Sequence, residues 1–142
     1  TDLQAPFTAL MTTAKGESLI TETIFENRMQ HISELQKMGA QIQLKKNTAL
    51  VKGVKTLTGS LLKGSDLRSA AAIILASLAA NGESHIHGLN HLDRGYEKLE
   101  IKFNNLGAFI NRITNAMDLK EVHPSLNELG AENKQNIEQK AA

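Results

Sequence analysis

Apolar positions along the chain fall into short runs whose spacing predicts both helices and strands. The longest apolar run, residues 70–80, is well short of the roughly 20 residues that a membrane span requires, so it predicts a buried helix. Before Gly39, the apolar residues Ile32, Leu35 and Met38 recur at three-residue steps. This spacing places them on one face of a second helix that ends at the glycine.

Shorter stretches have the alternating or β-branched character that is typical of strands. Residues 18–23, 84–90 and 108–114 fit this pattern. Residues 40–54 predict a hairpin that turns near Asn47. Since these strands alternate with helices, the predicted fold class is α/β.

The order of elements repeats along the chain, which indicates a duplicated unit. Landmark residues of the first part have counterparts, in the same order, in the second: Asp2 with Asp66, Gly16 with Gly82, Arg28 with Arg94, and Gly39 with Gly107. We predict two α-β-α-β units, residues 1–64 and 65–116, with an added hairpin strand in the first.

The paired residues have predicted structural roles. Asp2 and Asp66 are placed to cap the first helix of each unit, because a carboxylate accepts hydrogen bonds from first-turn N–H groups. Gly16 and Gly82 are placed to end that helix in the left-handed conformation. An arginine then lies in the turn beyond the first strand of each unit, which raises the question of what anionic group the two arginines hold.

Composition limits the class of protein. A chain of 142 residues with a net charge of +1 indicates one compact domain and disfavours a nucleic-acid partner. The absence of cysteine excludes disulfides and thiol nucleophiles in this chain and agrees with a reducing, cytoplasmic location. The first residues lack a signal-peptide pattern, and we expect them to continue a longer protein. The polar residues 117–142 predict a frayed helix or a disordered tail.

Several segments together resemble the C-terminal part of the UDP-N-acetylglucosamine 1-carboxyvinyltransferase family. They are "TDLQAPFTAL", "GESLITETIFENRMQH", "MGAQIQL", "SDLRSAAAIILASLA" and "HLDRGYEKLE", and the likeness runs from Thr1 to about Thr114. The resemblance implies an inside-out α/β barrel of two lobes, each built from three α/β units. This chain would carry two repeated α-β-α-β units, a partial lobe.

The resemblance implies a transferase of peptidoglycan synthesis. Such an enzyme moves the enolpyruvyl group of phosphoenolpyruvate to the 3-hydroxyl of UDP-N-acetylglucosamine and releases phosphate. It implies no cofactor and no metal, and the expected partners are these two substrates and the missing N-terminal portion. The chemistry needs a base for the hydroxyl, an acid for the vinyl carbon, and cations for the phosphate and carboxylate.

Site roles follow from the resemblance, position by position. Asp2 matches the general base beside the sugar 3-hydroxyl. Asp66 and Arg68 match a polar pair that lines the cleft, and Arg94 matches an arginine that closes on phosphoenolpyruvate. Arginine suits this task because its planar fork of donors fits carboxylate and phosphate groups and stays charged.

A loop in the first unit is implied to contact the sugar nucleotide. Ile24 matches a contact position, and Phe25 and Arg28 lie in the same loop. Simpler interpretations exist for these residues. Ile24 could belong to the core, Arg28 could pair with Glu26 on the surface, and the other site residues could form local caps and ion pairs.

Other interpretations remain open at this point. His85, His87 and His91 could bind zinc, although no fourth ligand is evident. The chain could instead be part of a 3-phosphoshikimate 1-carboxyvinyltransferase, or a non-catalytic binding or assembly module. The family's proton-donating cysteine has no counterpart here, so we expect the isolated chain to be inactive. Exposed apolar faces would favour a homo-oligomer.

Overall fold

The computed structural model of the chain describes residues 1–113. The predicted tail, residues 117–142, and the predicted boundary at residue 116 lie outside this part. Residues 1–108 form one compact region that holds all the described helices and strands. Residues 109–113 lie outside that region and contain neither helix nor strand. The strand predicted over residues 108–114 is therefore wrong in the described region, because alternation yields a strand only where a partner strand pairs with it.

Residues 1–108 are a mixed α/β structure, as predicted. Its helices are α1 (Gln4–Met11), α2 (His31–Lys37), α3 (Leu67–Leu78), α4 (Leu99–Asn105) and a 3₁₀ helix (Leu89–Arg94). Its strands are β1 (Glu17–Thr21), β2 (Gln41–Lys45), β3 (Thr48–Lys52), β4 (Leu57–Thr58), β5 (Leu61–Lys63), β6 (Ala80–Asn81) and β7 (His85–His87). These strands form no closed barrel within residues 1–113, which fits a partial lobe.

The strands form three small sheets. β1, β3 and β2 make an antiparallel sheet in that order, and the pairing of Lys45 with Thr48 confirms the hairpin turn at Asn47. β4 pairs with β6 and β5 pairs with β7, both in parallel, so α3 is the crossover helix between them. β4, β5 and β6 were not predicted, because strands this short carry no readable alternation.

The second helix of each unit ends in the same way. Gly39 and Gly107 adopt the left-handed backbone conformation, with φ of +90° and +91°. After α2, the N–H of Gly39 donates to the carbonyl of Gln36, and the next N–H reaches the carbonyl of Leu35. The N–H groups of Gly107 and Ala108 repeat this pattern after α4. Two Schellman caps at equivalent positions support the predicted duplication.

The first helix of each unit begins differently. Asp66 caps α3, because its Oδ1 accepts from the N–H of Arg68 at 2.9 Å and from that of Ser69 at 3.0 Å. The cap predicted for Asp2 is wrong: Leu3 precedes α1 in a helical conformation, and no side chain caps that helix. The Asp2 carboxylate is therefore available for contacts elsewhere.

The glycines predicted to end these two helices lie several residues beyond the observed helix ends. Gly16 and Gly82 have left-handed φ angles of +96° and +88°, but α1 already ends at Met11 and α3 at Leu78. Gly16 instead accepts a hydrogen bond from the N–H of Gly53 where the chain turns into β1. In both units, each of these left-handed glycines lies in a turn. The turn directly ends the helix only at the second helix of each unit.

The predicted strand over residues 84–90 is shorter than expected. β7 covers His85–His87, and Gly88 then adopts φ of +77°. A Cβ at this position would lie 2.7 Å from the carbonyl oxygen of Gly64, so the close approach also requires glycine. The following residues form the 3₁₀ helix, and Arg94 ends that helix instead of lying in an open turn.

The core forms where α1, α2 and α3 meet the sheets. Its fully buried large side chains include Leu35, Met38 and Ile73, which confirms the predicted buried face of α2 and the predicted buried helix α3. Alanines line both α1 and α3, and small residues let these helices approach closely. On its other side, α1 exposes the large apolar residues Leu3, Phe7 and Leu10.

The Asp66 cap makes a testable contribution to stability. We expect Asp66→Ala to lower the free energy of unfolding by about 1 kcal/mol, because two first-turn N–H groups lose their acceptor. Asp66→Asn keeps an acceptor oxygen and should lose much less. Urea titration of the three proteins measures both effects. Equal losses in the two variants would show that the charge of Asp66, and not its cap, stabilises α3.

Candidate active site

The loop after β1 carries three of the predicted site residues. Ile24 and Phe25 are 65% and 50% exposed, so the interpretation of Ile24 as a core residue is wrong. The guanidinium carbon of Arg28 lies 3.9 Å from the centre of the Phe25 ring, in a cation–π contact. Asn27, between them, adopts the left-handed backbone conformation with a φ of +57°.

Asp2 joins this loop to the start of α3. Its Oδ1 accepts from Arg68 Nε at 2.8 Å and from Arg68 Nη2 at 2.5 Å. Arg28 Nη1 lies 3.6 Å from the same oxygen. Three predicted residues that are widely separated in the sequence therefore meet at one carboxylate. Among residues 1–113, both hydrogen bonds to this carboxylate go to Oδ1.

The arginines determine the protonation state of Asp2. The hydrogen bond from Arg68, followed by the charge of Arg68 and then that of Arg28, lowers the pKa of Asp2 below its ordinary value. The carboxyl group is therefore ionised near neutral pH, as a proton acceptor must be. The side chain is largely exposed, so solvent screens the pairs and their contribution to stability is small.

A cavity of about 310 Å³ lies beside this ion-pair cluster. Arg28, Asp66 and Arg68 line it, together with His31 from α2 and Ser69 from α3. Burial lowers the pKa of the His31 imidazole to about 4, against the weaker opposing influence of Asp66 and of a hydrogen bond with the Arg28 backbone. The cavity therefore combines a neutral imidazole with two guanidinium groups and two carboxylates, those of Glu26 and Asp66.

Two buried polar atoms of the cavity wall lack a partner. Within the described part of the chain, neither His31 Nε2 nor Ser69 Oγ makes a hydrogen bond. Both side chains are at most 2% exposed. Buried polar groups are normally paired, so these two atoms are exceptions in the packing beside the cavity.

The structure does not bring Arg94 into this cluster. Its side chain is exposed, and none of the hydrogen bonds or ion pairs within residues 1–113 connects it to Asp2 or Arg68. Its neighbour Gly95 is held close to the Leu67 side chain, which leaves Arg94 near the first turn of α3. The predicted role of Arg94 stays a prediction.

Sequence reasoning missed Glu22, which is only 4% exposed. Its Oε1 accepts from the N–H of Ile24 at 2.8 Å and from that of Phe25 at 3.3 Å, and its Oε2 accepts from Thr1 Oγ1 at 2.5 Å. These hydrogen bonds, of which the one from Thr1 has the largest effect, lower the pKa of Glu22 to about 2. A carboxylate placed just before consecutive loop N–H groups was the available signal.

The histidines of the second unit are arranged separately. His85 and His87 are half-buried on β7, and His85 Nε2 lies 3.8 Å from Glu83 Oε1. His91 lies in the 3₁₀ helix. Across residues 1–113, no cluster of three or more histidine, cysteine or acidic side chains is arranged to hold a metal ion.

Comparison with known proteins identifies the family. The model of the EPSP synthase (3-phosphoshikimate 1-carboxyvinyltransferase) family matches residues 1–103. The chain belongs to the EPSP synthase family. The match includes Asp2, the loop of Arg28, the start of α3 and Arg94. None of the helices in the described part of this family member is long and apolar enough to cross a bilayer.

Curated relatives refine the resemblance that the sequence predicted. A relative from Prochlorococcus marinus (strain MIT 9312), named UDP-N-acetylglucosamine 1-carboxyvinyltransferase, is 63% identical over 121 residues. That stretch is 85% of this chain and 26% of the relative. A relative of the same name from Trichormus variabilis (strain ATCC 29413 / PCC 7937) is 53% identical over 80% of this chain. The resemblance is confirmed, and this chain spans about a quarter of the length of such EPSP synthase family members.

Solved structures confirm the predicted fold family. The enolpyruvyl transferase NikO from Streptomyces tendae has a TM-score of 0.72 and 32% identity over 78% of this chain, which is 26% of NikO. EPSP synthase from Acinetobacter baumannii has a TM-score of 0.53 and 24% identity over 66% of this chain, and this likeness supports the fold alone. The chain is thus a partial enolpyruvyl transferase fold within the EPSP synthase family.

Proposed function

We propose that this chain supplies one wall of the active site of a UDP-N-acetylglucosamine 1-carboxyvinyltransferase. The enzyme would transfer the enolpyruvyl group of phosphoenolpyruvate to the 3-hydroxyl of UDP-N-acetylglucosamine, releasing phosphate, in peptidoglycan synthesis. The observation that supports this most is the meeting of Asp2, Arg28 and Arg68 at a single carboxylate oxygen. The names of the curated relatives point to the same reaction.

Asp2 is the proposed general base. Its Oδ2, which accepts neither of the Arg68 hydrogen bonds, would take the proton of the sugar hydroxyl while the hydroxyl oxygen forms a bond to C2 of phosphoenolpyruvate. The vinyl carbon gains a proton from a donor outside this chain. A proton then leaves that carbon as the bond from C2 to the phosphate oxygen breaks, which restores the double bond and releases phosphate.

The arginines would tune this base as well as bind anions. Arg68 lowers the pKa of Asp2 while it donates to Oδ1, which keeps the base ionised and weak. A substrate phosphate or carboxylate that draws Arg68 away would raise the pKa of Asp2 and strengthen the base. Binding of the anionic substrate would thereby activate proton removal.

The other predicted residues complete the proposed substrate site. Ile24 and Phe25 present an exposed loop to the sugar nucleotide, with Arg28 stacked against the Phe25 ring. Asp66 fixes the first turn of α3, from which Arg68 projects. Arg94 would reach phosphoenolpyruvate after the opposing lobe closes.

The rest of the enzyme is the proposed partner. This chain spans about a quarter of the curated relatives, and α1 exposes Leu3, Phe7 and Leu10. The missing N-terminal portion would cover part of this surface, and a second copy of the chain is the alternative occupant. Both substrates are phosphorylated and do not cross membranes unaided, which favours a cytoplasmic location.

The description of the family model favours one alternative substrate, shikimate 3-phosphate. A chimera distinguishes the two. In it, this chain replaces the matching 121 residues of the Prochlorococcus marinus (strain MIT 9312) relative. We expect phosphate release from phosphoenolpyruvate with UDP-N-acetylglucosamine and none with shikimate 3-phosphate. The reverse preference would contradict the proposal. If a folded chimera releases no phosphate with either substrate, a non-catalytic module is favoured.

A further inference from the structure

The buried carboxylate of Glu22 links two parts of the candidate site that the sequence separates. Its Oε1 accepts from the backbone N–H groups of Ile24 and Phe25, the exposed residues of the loop. Its Oε2 accepts from Thr1 Oγ1, the hydroxyl of the residue before Asp2. One carboxylate oxygen of Glu22 therefore binds the loop, and the other binds the segment that carries Asp2.

The hydrogen-bond chain continues from Thr1 to the ion pairs. Arg28 Nη1 donates to Thr1 Oγ1 at 3.3 Å and lies 3.6 Å from Asp2 Oδ1. Arg68 then donates to the same Asp2 oxygen. The path from Glu22 to Arg68 thus runs through Thr1, Arg28 and Asp2 without a break.

Glu22 is itself held firmly by the sheet. Its N–H donates to the carbonyl of Asn47 at 2.9 Å, and Asn47 Nδ2 donates to the carbonyl of Glu22 at 2.6 Å. These bonds attach Glu22 to the turn of the β2–β3 hairpin, whose strands contribute Ile42, Ala49 and Val51 to the core. A rigid anchor with an ionised, 4% exposed carboxylate can impose geometry on flexible neighbours.

We propose that Glu22 is a positioning residue that holds the loop of residues 24–28 and the Thr1–Asp2 segment in one geometry. This role rests on the proposed function, because it assigns the loop to the sugar nucleotide and Asp2 to proton removal. Glu22 touches neither substrate. It acts through the N–H groups of Ile24 and Phe25 and through the hydroxyl of Thr1.

The structural half of the proposal is tested on the 142-residue chain itself. In ¹⁵N-resolved NMR spectra, we expect the amide protons of Ile24 and Phe25 to titrate together with a midpoint near the pKa of Glu22, about 2. Glu22→Ala should abolish this titration and speed the exchange of both amides with solvent. Glu17→Ala, an exposed carboxylate on the same β1 strand, is the matched control and should change neither amide. Amides that are unchanged by Glu22→Ala overturn the proposal.

The functional half is tested on the chimera. We expect Glu22→Ala to raise KM for UDP-N-acetylglucosamine about tenfold and KM for phosphoenolpyruvate less than about twofold, because the loop that the carboxylate orders is assigned to the sugar nucleotide. It should also lower kcat, because the Thr1 bond that holds the Asp2 segment is lost. Glu22→Gln keeps an oxygen for the two N–H groups and should recover most of the affinity. Thr1→Val leaves the loop bonds intact and should lower kcat with little change in either KM.

The kinetic and NMR results separate failure of the positioning role from failure of the proposed function. Equal KM values for Glu22→Ala and Glu17→Ala, with the amide effects present, overturn the positioning role. A parallel rise in both KM values indicates general loss of structure and also overturns it. A wild-type chimera that binds neither substrate contradicts the proposed function, whereas the amide titration alone still decides whether Glu22 orders the loop.

Discussion

Asp2→Asn in the chimera should lower kcat for enolpyruvyl transfer by about 10²- to 10⁴-fold, the usual contribution of a general base. Asparagine keeps an oxygen that can accept from Arg68, so the site should keep its shape while losing its proton acceptor. KM for both substrates should change little. Phosphate release measured at saturating substrate tests this expectation.

Two controls make the Asp2→Asn result decisive. Glu17→Gln removes an exposed carboxylate of β1 and should leave kcat unchanged. Urea unfolding should show that Asp2→Asn is as stable as the unchanged chain, because the exposed Asp2 pairs contribute little. A variant that keeps kcat within a few-fold would exclude Asp2 as the base and move the assignment to another acceptor.

His31 should make the chain sensitive to mild acid. The unfolded imidazole binds a proton below its ordinary pKa of 6.5, whereas burial holds the folded pKa at about 4. The unfolded state therefore binds more protons between these values, and stability present above pH 6.5 is lost as the pH falls to 4. The free energy of unfolding should drop by about 3 kcal/mol across this window because of His31 alone.

The measurement compares the free energy of unfolding of the unchanged chain with that of His31→Leu. His31→Leu removes the titrating group, so its urea-derived free energy of unfolding should lack this part of the slope between pH 6.5 and 4. His87 also has a lowered pKa from burial, and subtraction of the variant curve removes its contribution. Loss of the Glu22 contribution follows below pH 4.5, down to about pH 2. Identical slopes in the two proteins would show that His31 is accessible to protons in the folded chain.

The sequence predicts the elements whose signals are local. The apolar face of α2, the buried helix α3 and the hairpin at Asn47 follow from periodicity, and the glycine ends of α2 and α4 follow from conformational preference. β4, β5 and β6 are too short to have a pattern, and their pairing depends on a crossover through α3. Their existence is decided by tertiary contacts, which local patterns do not contain.

In the candidate site, too, some residues could be predicted from the sequence and others could not. Resemblance to the family singles out Asp2, Arg28 and Arg68, and the structure brings these three together. Within residues 1–113 it leaves Arg94 apart from them, with no hydrogen bond or ion pair to Asp2 or Arg68. Glu22 was missed because its importance lies in backbone N–H groups and a hydroxyl, and the identity of a side chain does not reveal those partners.

The different beginnings of α1 and α3 have an evolutionary consequence. The carboxylate at position 66 is committed to the first turn of α3, whereas no side chain caps α1 and the carboxylate at position 2 does not have that duty. Selection should therefore tolerate serine, threonine or asparagine at position 66 more readily than at position 2. The first position demands only a short side chain with an acceptor atom, and the second, if it is the base, demands a negative charge.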